Sequence, residues 1–280
     1  MPNDEWGRDH LLLELMAEYR QTRLPLHLSS ALLAMLVSLS GCAKDQSLAP
    51  PANSEQVIVR IKVPAELKAR TLEVQYRSTL CTFTDHGAYG DPYQRDGYQN
   101  MDIEPARRGL SDIYEAKLPR DGGGACQWRL SNVTFGVTYR EPERFGENVF
   151  YSAGGGVVVM FDDNRPSRSY GLPIPANGDL KIERSYYPWV SEAFIGGHRK
   201  TISLAGGGDI YLMYKAPEAR EVYFEPVLHS RFVVYSEQPK VHKKGLFASF
   251  TYPDGSIVTD GRSEPDFRRL EAIRSAAEKK

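Results

Sequence analysis

Histidine, cysteine, carboxylate and hydroxyl side chains do most protein chemistry, and across these 280 residues their spacing excludes the commonest kinds. Downstream of residue 42 the histidines are His86, His198, His229 and His242, and no two stand at the i, i+2 or i, i+4 separation that sets two imidazoles on one metal ion. Glycine triplets begin at Gly122, Gly154 and Gly206, but none is followed by the Lys-Ser or Lys-Thr of a phosphate-cradling loop. They read as turns or bulges. No Gly-x-Ser-x-Gly elbow offers a hydrolase nucleophile. A net charge of -1 lacks the basic excess of a nucleic-acid binder. The expectation is a non-enzymatic protein with no cofactor, no metal and no nucleic-acid partner.

What remains is binding chemistry. The segment from Asp85 to Asp102 is long and polar, and it is threaded with Tyr89, Tyr93, Arg95 and Tyr98. Its Asp91, Asp96 and Asp102 do not fall at the positions of an EF-hand calcium loop. Tyrosine offers a large contact area and a polar tip for little rotamer entropy, so Tyr89, Tyr93, Arg95 and Tyr98 are the candidate partner-binding residues of a long loop. The alternative is a loop packed on its own tyrosines. A second cluster, Tyr186-Tyr-Pro-Trp-Val190, lies near the polar turn Gly196-Gly-His-Arg-Lys200. It suits sugar stacking, a protein anchor or a sandwich core.

The elements that must carry these residues are strands. Gln56 to Val63 alternates Val57, Val59, Ile61 and Val63 with Ile58, Arg60 and Lys62, the period of a half-buried strand. The same signal returns at 71–83, 113–118, 126–139, 156–161, 180–186, 209–214, 222–224, 231–235 and 246–252, with Gly, Pro, Asp and Asn between the runs. The fold expected is all-β and sandwich-like, possible lobes being 55–145 and 155–262 of a β-rich domain 55–262. A weak echo between Ser152–Phe161 and Leu204–Tyr214 reads as two glycine turns feeding strands or as a duplication. At 263–280 a helix is expected, with Ser263 as N-cap, Pro265 in its first turn, and Phe267, Leu270, Ile273 and Ala277 on one stripe.

Before all this comes an address. Arg20 and Arg23 precede the apolar run Ala31–Leu39, which closes on Ser40 and Gly41 in the layout of a signal peptide over residues 1–41. Pro25, His27 and the short core make a permanent span the weaker reading. Asp4, Glu5, Asp9 and Glu14 put negative charge where a signal wants positive, which suggests a true start at Met16. Leu39-Ser40-Gly41-Cys42 resembles the lipobox of bacterial lipoproteins. The resemblance implies cleavage before Cys42, a diacylglyceryl thioether on its sulfur and an acyl chain on its new amino group. More than one acyl chain makes a stable anchor. Ala43, where inner-membrane retention would call for Asp, implies the periplasmic side of the outer membrane. Residues 42–54 then read as a lipid anchor and flexible tether.

With Cys42 acylated, Cys81 and Cys126 are left to form a disulfide in an oxidising compartment, or to stay as two buried thiols. Cys81-Thr-Phe-Thr-Asp85 and Gly124–Tyr139, together with the lipobox, resemble periplasmic immunity lipoproteins of type VI secretion lipase effectors. That resemblance implies a protein that binds and neutralises a toxic lipase without catalysis of its own. A structural or carbohydrate-binding envelope lipoprotein is the alternative.

Overall fold

Runs of β-branched and aromatic residues at every second position bury one face and wet the other, and this chain turns each run into a strand. The computed structural model describes residues 45–166, 171–207 and 211–279, all of them in the unit Asp45–Lys280. The expected leader 1–41, the suggested start Met16 and the expected acylation site Cys42 lie outside the described residues.

The strands are β1 (Gln56–Lys62), β2 (Leu67–Ala69), β3 (Leu72–His86), β4 (Pro92–Ile103), β5 (Ala106–Arg107) and β6 (Ile113–Pro119). They continue as β7 (Asp121–Gly123), β8 (Trp128–Tyr139), β9 (Val149–Tyr151), β10 (Gly156–Met160), β11 (Ile174–Pro175) and β12 (Leu180–Ala193). The last are β13 (Arg199–Ala205), β14 (Tyr211–Lys215), β15 (Glu221–Leu228), β16 (Val234–Glu237), β17 (Ser249–Thr251) and β18 (Ile257–Val258), and one helix, α1 (Phe267–Glu278), follows them.

A 10-stranded sheet has the order β18-β17-β16-β12-β15-β1-β6-β5, with β13 on β12 and β9 on β13. An 8-stranded sheet has the order β11-β14-β10-β8-β3-β4, with β2 and β7 also on β8. The two sheets pack face to face. Val57, Val59 and Ile61 of β1 meet Val133, Phe135 and Val137 of β8 in one core, and the Phe135 and Phe224 rings cross edge to face at 6.1 Å. The all-β sandwich with a short C-terminal helix is thus the fold.

Three expectations need correction. The two packed β bodies are the two sheets, not the segments 55–145 and 155–262. β1 pairs with β15, and β10 pairs with β8, so strands from both sides of the seam share both sheets. Next, residues 45–54 are not a free tether. The buried Trp128 indole N–H donates to the Gln46 carbonyl at 2.9 Å, the Ala49 N–H donates to the Gly122 carbonyl at 2.9 Å, and Leu48 packs on the core. Burying an indole N–H without an acceptor costs free energy, which the Gln46 carbonyl removes, and three consecutive glycines let the strap lie close. Finally, the N-cap of α1 is Asp266 and not Ser263: its Oδ1 accepts from the backbone N–H groups of Arg268 at 3.0 Å and Arg269 at 3.3 Å.

The helix stripe holds for Phe267, Leu270 and Ile273, which close a second core with Tyr187, Phe232, Val234 and Phe250. Ala277 is exposed and stands outside it. Asp266→Ala removes the acceptor for two orphan N–H groups and is expected to cost about 1 kcal/mol, read as a lowered midpoint in denaturant unfolding. Asp266→Asn should recover most of the loss.

Candidate functional site

The expected loop 85–102 is largely a strand. Residues 92–103 form β4, which pairs with β3 along one side and is the edge of the 8-stranded sheet. Its sequence shows no apolar alternation because most of the strand is wet, and backbone pairing to β3 defines it instead.

β3 and β4 are regular from Leu72↔Ile103 to Ser78↔Gly97, then the register shifts and resumes at Phe83↔Arg95. Ser78 makes this bulge. Its Oγ accepts from the N–H groups of Leu80 at 3.0 Å and Cys81 at 3.1 Å, and donates to the Cys126 carbonyl. Gly97 permits it, since a Cβ there would collide with the Cys81 carbonyl oxygen. A disulfide joins Cys81 to Cys126 across the bulge.

Beyond the disulfide the hairpin continues as an arm. Phe83, Thr84, Asp85 and His86 pair with Arg95, Gln94, Tyr93 and Pro92, and the turn Gly87–Asp91 closes through Gly87 N–H to the Asp91 carbonyl at 2.9 Å. Tyr89 at the tip is 95% exposed. One face carries an organised patch. Asp85 Oδ2 accepts from Arg95 Nη1 at 2.9 Å and from Tyr93 Oη at 3.3 Å, while the guanidinium lies 5.6 Å from the centre of the Phe83 ring. Phe83 in turn meets Tyr98 edge to face at 5.7 Å. The Arg95 hydrogen bond, with the His86 N–H behind it, holds the Asp85 carboxyl below the usual carboxylate range. At this exposure such a pair adds little stability, so its effect is to orient side chains.

Of the four candidate residues, the arm brings Tyr93, Arg95 and Tyr98 into one exposed patch and puts Tyr89 at its tip. Sequence reasoning missed Leu80, which is exposed on the bulge, and Phe83, which joins Arg95 to Tyr98. The period-two reading of 71–83 carries Leu80 inward with Leu72, Val74 and Tyr76, and the bulge turns it out; Phe83 is wet because β3 there has passed the start of β8.

The second cluster is mostly core. Tyr186 and Tyr187 are buried, and Trp189, partly exposed, donates its indole N–H to Ser236 Oγ at 2.8 Å. A groove of about 1150 Å³ runs beside it, between β12–β13 and the segment leading to α1, with Arg184, Trp189, Ser203 and Phe267 in its wall. His229 Nε2 lies 3.1 Å from Ser185 Oγ, but its ring is stacked on Tyr187 at 4.9 Å, and burial lowers its proton affinity. Neither Ser185 nor His229 lines the groove. Among the described residues no group of three His, Cys, Asp or Glu side chains could hold a metal, and no helix is long and apolar enough to cross a membrane.

No protein-family model, no curated protein and no solved structure matches this chain.

Proposed function

We propose that this is a lipid-anchored protein of the bacterial periplasm, acylated on Cys42 and held at the outer membrane, that neutralises a toxic lipase effector of type VI secretion by binding it. The observation that carries the binding role is the braced arm: Phe83, Tyr93 and Arg95 stand exposed beyond a disulfide, and Tyr98 at the root of the arm meets Phe83. Tight protein interfaces centre on aromatic and arginine anchors, and an inhibitor needs a complementary surface and no catalytic group. The lipobox-like Leu39–Cys42 supports the address, and a disulfide between the other two cysteines suits an oxidising compartment.

The test is capture of a lipase encoded beside this chain, together with inhibition of its turnover. Tyr93→Ala, Arg95→Ala and Tyr98→Ala combined should weaken capture at least about 30-fold, the size of one or more lost hot spots. Unchanged capture and inhibition by a folded triple variant would remove the arm from the interface. The groove beside Trp189 supports a second reading, a carbohydrate-binding envelope module, with Trp189 as the stacking ring. Retention on cell-wall polysaccharide that Trp189→Ala abolishes would favour it.

A further inference from the structure

The arm and the first described residues of the strap lie at the same end of the domain. β8 begins at Trp128, and β3 runs antiparallel to it with Arg77 opposite Arg129, so everything in β3 past Ser78 extends beyond the start of β8. The strap lies there too. Gln46 is hydrogen-bonded to Trp128, and Ser47 lies against Gly124 in the turn from β7 to β8, the turn that also holds Cys126. The exit of the strap, the disulfide and the root of the arm are therefore neighbours.

Two lengths then decide the geometry. From Cys42 to Gln46 is four residues, which reach at most about 14 Å at full stretch. From Cys81 to the tip at Tyr89 the arm advances about 20 Å, at roughly 3.4 Å per strand residue plus the turn. The arm is longer than the slack. On the acylation of Cys42 put forward above, on which this inference rests, the domain cannot stand clear of the membrane unless the arm lies over.

We infer that the tip of the arm, at Tyr89, rests in the zwitterionic headgroup layer of the bilayer that holds the chain's own acyl anchor. Tyrosine suits that layer, because its ring is apolar and its hydroxyl stays wet. The arm's charge selects the lipid. Asp85, Asp91 and Asp96 outnumber Arg95, and Arg95 is already committed to Asp85, so an anionic surface repels it. Placed so, the Phe83–Arg95–Tyr98 patch meets a lipase on the surface it attacks.

The test uses the full chain isolated with its membrane and reconstituted in phosphatidylcholine vesicles. A water-soluble reagent iodinates exposed tyrosines, and mass spectrometry reads Tyr89 against Tyr235, an exposed tyrosine on the other sheet. A variant with a 12-residue Gly-Ser insertion after Ala43 supplies slack without touching the arm. The expected result is a labelling ratio at least 5-fold lower in the parent than in the insertion variant, with the difference shrinking in phosphatidylglycerol vesicles. Equal ratios in parent and insertion variant, with the intact mass showing acylated Cys42, would overturn the inference and leave the anchor standing. A free thiol at position 42 would overturn both. Shielding of Tyr89 that appears only when the lipase is added would overturn the lipid contact and assign the tip to the protein partner.

Discussion

Replacing Cys81 and Cys126 together by serine is expected to lower the free energy of unfolding by about 4 kcal/mol. The bond closes a loop with a sequence separation of 45, and removing it returns that much chain entropy to the unfolded state in the loop-closure account. Both sulfurs are buried, so two hydroxyls placed there gain little solvent in return. The loss is largest locally, because the bond fixes the bulge on which the arm stands. Denaturant unfolding with and without reductant gives the magnitude. Hydrogen exchange across residues 83–95 should speed up more than exchange in β8, and a loss below about 1 kcal/mol would show that Ser78 and Gly97 hold the bulge unaided.

Trp128→Ala is expected to cost about 3–5 kcal/mol, the range for deleting a fully buried aromatic side chain. Trp128 is 1% exposed and packs where a Cβ on Gly122 would also meet Tyr76, so the site has little room to collapse. The same ring holds the strap through Gln46. Exchange at residues 45–49 should therefore rise far more than global unfolding explains. Trp128→Phe separates the two effects, since it keeps most of the packing and loses only the N–H donor, about 1 kcal/mol. If the strap stays protected in Trp128→Ala, the Ala49–Gly122 contact carries it.

The apolar alternation in Gln56–Val63 was enough to place β1, because a strand in the middle of a sheet is paired on both sides and buried on one face, and its sequence records that face. On the expectation that Cys42 carries lipid, parity leaves Cys81 and Cys126 either bonded or as two buried thiols, and the structure joins them. β4 was not legible in the same way. An edge strand whose side chains are largely wet carries no periodicity, and its position depends on the backbone of β3, which the composition of 85–102 does not encode. The strap failed for a related reason: Pro, Ala, Ser and Gln look like a tether until a buried indole elsewhere needs a carbonyl.

By itself the sequence determined the all-β class, the apolar helix stripe and which residues were chemically suited to contact, since these follow from local periodicity and side-chain type. Only the tertiary structure decided that Tyr93, Arg95 and Tyr98 share one patch with Phe83, that this patch runs from the root of the arm past the disulfide, and that the strap lies beside it. Those relations join residues far apart in the chain, and strand register and a bulge set them, which no local pattern records.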